Sequence, residues 1–424
     1  MVQTLKCILV LLLVAMGNKA RGDDESSTNS LTNPKLVNSF YELNENRLVW
    51  TGADERSAEL RNELAALISK AVYLGLKKTD YHYSYISSPP RLYNDIDADK
   101  IFTDAALGYL KDIYTGNIDT RLLGYNEVSV KNDTKDKDIL LKGLSKVRDA
   151  SDLQALAQQM EPDNDNYRTI KTELAVQIEH KAADKIKALS TALNYYRLIL
   201  HFNFSKYIVV NICNTMLHYY QDGKMVLEMK VVTGKPATKT PRFTAYCYEV
   251  ILYPYWNVPH SIAVKEIIPS YKKNRNTLNS MNLQVIDKNG KVINPASLNW
   301  SSFNSNYFPY RFRQSTGCDN ALGVIKFNIS DPFSVYLHDT NNKNVFTRSN
   351  RYLSHGCIRL EKPMELGNYL LPGKIDMNLL KACIKTETPT TLKMNEPVPV
   401  FVIYMPADAA QGAVSYYNDI YHLL

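Results

Sequence analysis

The spacing of apolar residues changes once along this chain of 424 residues, near position 205, and that change confines it to a helical unit followed by a mostly β unit. Before it, Leu60, Leu64, Leu67, Ile68 and Ala71 recur three and four apart, which sets them on one face of a helix. The stretches 152–160 and 167–200 repeat that spacing, with a polar loop from Glu161 to Asn166 between them. Lys131 to Asp138 reads as another polar loop. After Lys206 the apolar runs are short, rich in β-branched and aromatic residues, and bounded by turns: 207–212, 225–232, 246–252, 322–327, 335–337 and 398–405. Gln221-Asp222-Gly223-Lys224 and Lys288-Asn289-Gly290 carry hairpin chemistry. Strands do not alternate with helices, so a doubly wound sheet is disfavoured. The expected fold is α+β, an all-helical scaffold domain at 21–204 ahead of a sandwich- or barrel-like β domain at 205–424. Within the latter, about 259–314 breaks into a helical piece, His260 to Lys273, and a Ser/Asn/Tyr-rich stretch, as a lid or binding loop does.

The N-terminus has the order of a secretory signal peptide. Lys6 precedes an apolar run from Cys7 to Met16, too short for a bilayer span, and small and polar residues follow from Gly17. The signal is expected to occupy 1–20, cleaved after Gly17 or Ala20, and Cys7 lies too early to carry a lipid. No later segment is apolar for long enough to make a membrane helix, so the mature chain is expected to be exported with no integral membrane segment. Export permits disulfides: with Cys7 and Cys357 set aside, Cys213, Cys247, Cys318 and Cys383 pair in one of three ways or stay free. The net charge of +7 is spread out, and its densest cluster, Lys272-Lys273-Asn274-Arg275, reads as a solvated face rather than a nucleic-acid site. There is no CxxC, HExxH, P-loop, GxGxxG or GxSxG pattern, so neither a metal nor another cofactor is expected.

Chemistry concentrates in Ser354-His355-Gly356-Cys357-Ile358-Arg359, with a second histidine upstream in Val335-Tyr336-Leu337-His338-Asp339-Thr340. A thiol attacks as thiolate, and a nearby imidazole can take its proton. Gly356 allows a sharp turn that brings backbone N–H groups close to a reacting carbonyl. This is a cysteine acyl-transfer arrangement. His201, His218 and His260 have no partners that the sequence identifies and read as structural.

Ser-His-Gly-Cys with a histidine ahead of it, fifteen residues lying between that histidine and the serine, resembles the signature of the YkuD-type L,D-transpeptidases. The flanks 336–340 and 359–363, together with 206–212, 257–259 and 320–323, resemble the larger periplasmic branch of that family. Ser39-Phe40-Tyr41, Trp50 and Asp80-Tyr81-His82 match its helical scaffold. Members of that branch commonly insert a small peptidoglycan-binding domain; here 170–179 runs almost directly into 186–198, leaving no room for one. The resemblance implies that Cys357 is the nucleophile and His338 its base, and that the imidazole is oriented by the backbone carbonyl of Asp339 rather than by its carboxylate. The N–H groups of Gly356 and Cys357 would face the oxyanion.

Arg359 suits a carboxylate of a peptidoglycan stem peptide, while His355, Ser354, Tyr336 and Trp256 are candidates to shape the cleft or its loop. The 259–314 insertion would be a substrate cap. The implied reaction is 3→3 cross-linking in the periplasm or cell envelope: a tetrapeptide stem loses D-alanine to form a thioester, and a diamino-acid amine of a second stem resolves it. Penems and carbapenems would acylate Cys357. The same acyl-enzyme would also serve an L,D-carboxypeptidase or the attachment and release of wall proteins. The rival from another class is a catalytically silent peptidoglycan-binding scaffold protein.

Overall fold

Side-chain caps set where the helices start. Helix α1 (Pro34–Leu43) opens on its proline, whereas Asp54, Asp95, Asn126, Asp149 and Asn164 each accept a first-turn backbone N–H. Those five begin α2 (Glu55–Ser69), α4 (Ile96–Thr115), α5 (Glu127–Ser145), α6 (Ala150–Met160) and α7 (Asp165–Glu179), with the short α3 (Tyr83–Ile86) between the first two. Each such cap stabilises its helix by about 1 kcal/mol. α8 (Ala183–Leu200) follows α7 after residues 180–182, so no domain intervenes there. The computed structural model describes residues 31–88, 95–119, 121–383 and 388–424; the expected signal peptide lies outside them.

The stretch 131–138, expected to be a loop, is the middle of α5. Apart from the buried Asp136, its charges lie on the exposed face of an amphipathic helix. Lys131, Lys137 and Lys142 pair with Glu127, Asp133 and Asp138 one turn earlier, while Val128, Leu140 and Leu144 are buried. Such pairs add about 0.3 kcal/mol each, so burial of the apolar stripe decides the conformation.

One buried carboxylate organises the helical core. Asp99 on α4 accepts the N–H groups of Val49, Trp50 and Thr51 and the hydroxyls of Thr51 and Tyr41. This pins the 49–51 turn, with the fully buried Trp50 indole, against α4.

The strands up to residue 403 are, in chain order, β1 (Tyr125–Asn126), β2 (Lys206–Asn211), β3 (Met216–Gln221), β4 (Lys224–Gly234), β5 (Phe243–Leu252), β6 (Trp256–Asn257), β7 (Leu283–Ile286), β8 (Val292–Ile293), β9 (Arg311–Gln314), β10 (Ile325–Ile329), β11 (Tyr336–His338), β12 (Tyr352–Ser354), β13 (Ile358–Leu360) and β14 (Thr390–Ile403). Eight of them close a barrel in the order β5-β10-β11-β13-β4-β3-β2-β14, with β14 pairing back onto β5. Asp222 and Gly223, both at positive φ, turn β3 into β4 as an Asp-Gly hairpin does. Residues 322–324, expected within a strand, precede β10 instead, because Gly323 turns the chain at φ +60°.

Helices α7 and α8 do not share the core of α1–α6. Tyr167, Ile170, Leu174, Leu189, Leu193 and Tyr195 belong to the apolar cluster that fills the barrel. A third cluster, built on Tyr271, Trp300, Phe303, Phe308 and Phe312, fills a cap made of β6-β9-β7-β8 and a helical run at 260–273. Cys318, just after the cap, is bonded to Cys383, while Cys213 and Cys247 are free and buried. No helix among the described residues is long and apolar enough to cross a membrane.

Replacing Asp99 by alanine strands several buried N–H donors at once. At about 1–3 kcal/mol for each unsatisfied group, chemical denaturation should register a loss of about 3 kcal/mol or more. A loss below about 1 kcal/mol would contradict this role for the carboxylate.

Candidate active site

Three adjacent barrel strands build the site by simple alternation. Ile325, Phe327 and Ile329 of β10, Leu337 of β11, and Ile358 and Leu360 of β13 point into the barrel core. The residues between them face the other way. β11 pairs antiparallel with β10, with His338 opposite Lys326, and parallel with β13, with His338 opposite Arg359. Opposed residues share a face, so Lys326, Tyr336, His338 and Arg359 emerge together, and Cys357, two residues before Arg359, joins them. The Tyr336 and His338 rings lie 5.5 Å apart, and the Lys326 ammonium sits 4.2 Å from the Tyr336 ring centre. Tyr336 is the neighbour that most favours a thiolate at Cys357.

Charge in this cluster favours neutral partners. Burial pushes the Cys357 thiol above its ordinary value, against the opposing influence of Tyr336 and the Lys326 charge. His338 is only 4% exposed; burial first, then the Arg359 guanidinium, bring its imidazole down to about 3. Nδ1–H of His338 donates to the Asp339 carbonyl, which fixes the tautomer and leaves the Nε2 lone pair as a base. The Asp339 carboxylate is occupied elsewhere. It accepts the Val324 N–H at 3.0 Å and pairs with Lys343. A Cβ at Gly323 would come within 2.2 Å of that carboxylate, so only glycine lets the 320–324 turn close on it.

The turn carrying Cys357 is held from within and from below. Ser354 Oγ donates to the Cys357 carbonyl at 2.6 Å and accepts the Gly356 N–H at 3.0 Å. Of the two amides expected to face an oxyanion, that of Gly356 is therefore taken by Ser354. Gly356 sits at φ +125°. Its carbonyl accepts from Thr240 Oγ1 at 2.8 Å, and that of Ser354 from Thr238 Oγ1 at 2.9 Å. Neither threonine carries any sequence signal of this role.

His355 is exposed and reaches the cap, with Nε2 2.7 Å from Oε1 of Glu266. Trp256 pairs with Gln314 in the cap sheet and packs on the cap core, so its place is in the cap rather than on the strands that carry Cys357 and His338. His201 lies 3.5 Å from Asp136 and His218 lies 3.0 Å from Glu228, acidic neighbours that only the fold supplies. Lys326 and Glu266 were not legible as site residues, because strand register and cap docking bring them in. Among the described residues no group of three or more His, Cys, Asp or Glu could hold a metal ion.

A neutral imidazole beside a protonated thiol predicts a particular pH response. Alkylation of Cys357 by iodoacetamide, followed by mass spectrometry, should climb steadily through pH ~8 and beyond, because thiolate must be formed by deprotonation. A plateau already reached near pH ~6 would mean a preformed thiolate–imidazolium pair and contradict this electrostatic picture. Any loss of activity through protonation of His338 should appear only as pH falls towards about 3.

Residues 205–386 match the L,D-transpeptidase catalytic domain family called YkuD, and residues 35–174 match the Scaffold domain family. The putative L,D-transpeptidase of Haemophilus influenzae (strain ATCC 51907 / DSM 11121 / KW20 / Rd) is 32% identical over 329 residues, 76% of this chain. This chain spans 65% of that relative's length. The ertapenem-acylated catalytic domain of the E. faecium L,D-transpeptidase is 18% identical over 47% of this chain and 97% of its own, with a TM-score of 0.23. An L,D-transpeptidase from Mycobacterium smegmatis is 15% identical over 47% of this chain and 58% of its own, with a TM-score of 0.22. Likeness that slight has no bearing on chemistry, and the family and curated matches carry the assignment. On those matches the chain carries a YkuD-type L,D-transpeptidase catalytic domain at 205–386 behind a Scaffold domain at 35–174.

Proposed function

We propose that this protein is an exported L,D-transpeptidase that forms 3→3 cross-links between peptidoglycan stem peptides, with Cys357 as nucleophile and His338 as base. As the Cys357 sulfur attacks the carbonyl between the diamino acid and terminal D-alanine, the thiol proton passes to Nε2 of His338. The tetrahedral intermediate collapses with cleavage of the C–N bond, and the imidazolium gives its proton to the departing D-alanine amine. The side-chain amine of a second stem then loses a proton to the neutral imidazole and attacks the thioester. Cys357 leaves as thiolate and is reprotonated from His338.

The observation that carries this reading is a neutral, carbonyl-oriented imidazole on the same sheet face as a half-buried thiol. Arg359 is proposed to hold a donor carboxylate, and the Cys357 N–H to donate to the oxyanion. The cap, tethered through Glu266 to His355, would limit water at the thioester and so favour transfer over hydrolysis. Carbapenems are proposed as covalent ligands, because a strained acyl donor bearing a carboxylate suits the same attack. Location in the periplasm or cell envelope is supported by the Cys318–Cys383 disulfide and the apolar run at 7–16.

Purified protein incubated with tetrapeptide muropeptides should release D-alanine and yield cross-linked dimers. Cys357→Ala should lower that yield by about 10³-fold or more. Tripeptides without dimers would replace transfer by carboxypeptidase action. Identical product profiles from the parent and Cys357→Ala would end the enzymatic reading.

A further inference from the structure

We propose that Lys326 is a specificity-determining residue of this site: it takes one carboxylate of the donor peptide while Arg359 takes another, so the cleft selects an acyl donor with a free carboxylate on each side of the bond that Cys357 breaks. This rests on the acyl-transfer reading above.

The strand register sets the geometry. Lys326 is directly opposite His338 on one side, across β10 and β11, and Arg359 is directly opposite on the other, across β11 and β13. At about 4.8 Å per strand, the two cationic residues leave the sheet about 10 Å apart with the imidazole between them. Both side chains are half-buried on the face that carries Cys357.

Neither cation has a protein counter-ion. Among the described residues, the side chains of Lys326 and Arg359 make no hydrogen bond or ion pair. Lys343, the other lysine close to this cluster, is paired with Asp339. Glu249, whose charge Lys326 feels, is turned aside, with Oε1 accepting from Asn328 Nδ2 at 2.5 Å. The Tyr336 ring supports the Lys326 ammonium from one side at 4.2 Å without neutralising it. Charged groups withdrawn from water are normally paired, so two unpaired cations flanking one base form a site that an anionic ligand completes.

The ligand chemistry follows from the reaction. The leaving D-alanine ends in one free carboxylate, and a diamino dicarboxylic acid on the acyl side carries a second on its side chain. Diamino monocarboxylic stems lack the second, and Lys326 with Arg359 would distinguish the two classes.

Three synthetic donors test this: the diacid tetrapeptide, its C-terminal amide, and its side-chain amide. Acylation of Cys357 is followed by intact-protein mass and product release by chromatography. The parent should prefer the diacid over each monoamide by tenfold or more in kcat/KM. Lys326→Met should bring the ratio for one monoamide close to one while preserving discrimination against the other, with the change appearing in KM. Lys326→Arg should restore the lost preference, and Lys326→Gln provides a second neutral variant should the methionine form fold poorly. A structural role for Lys326 would instead depress all three donors alike without rescue by arginine. Unchanged ratios in both neutral variants, or a parent indifferent to amidation, would overturn the inference while leaving acyl transfer intact. A parent that never acquires an acyl group from the diacid would overturn acyl transfer itself.

Discussion

Closure of the barrel through β14 is the constraint on which the site depends. β14 pairs with β2 along one edge and β5 along the other, so backbone donors and acceptors that would otherwise lie on open edges are joined in a ring. Inside that ring the registers of β10, β11 and β13 cannot slip by one residue without turning Ile325, Leu337 and Ile358 out of the core. The same pairing that buries those side chains therefore aims Lys326, His338 and Arg359 outwards side by side. Precision at the site is inherited from packing on the opposite face of the sheet.

The electrostatics follow from that arrangement. A histidine enclosed by protein and set between two cations is held as a free base, because burial and like charge both oppose its protonated form. The Asp339 carbonyl compensates by accepting Nδ1–H, which keeps the ring oriented while leaving it uncharged. The neighbouring carboxylate, adjacent to the histidine in sequence, spends its hydrogen bonds on the 320–324 turn and its charge on Lys343. Orientation and charge compensation are thus divided between the backbone and the side chain of one residue.

The cap and the nucleophile turn meet at His355 and Glu266, residues 89 apart in sequence. The cap has its own aromatic core, separate from the one that fills the barrel. The disulfide at Cys318 ties the chain leaving the cap to the segment leading into β14, and so couples the cap's exit to the strand that closes the barrel.

Apolar periodicity was enough to read two units from the sequence, helical then β, with the change near 205, because repeats of three to four and of two are local properties of the chain. The nucleophile and base candidates were legible for a similar reason: a cysteine following Ser-His-Gly, with a histidine at fixed separation, is a local pattern. The residues 131–138 were misread because a charged helix face and a loop look alike until Val128, Leu140 and Leu144 find a surface to cover. The choice of Cys383 as the partner of Cys318, the diversion of the Gly356 amide to Ser354, and the places of Lys326, Glu266, Thr238 and Thr240 were decided only by tertiary structure. Each depends on which distant strand or loop lies alongside, and that is settled by burial and hydrogen bonding summed over the whole barrel, which no short window of sequence contains.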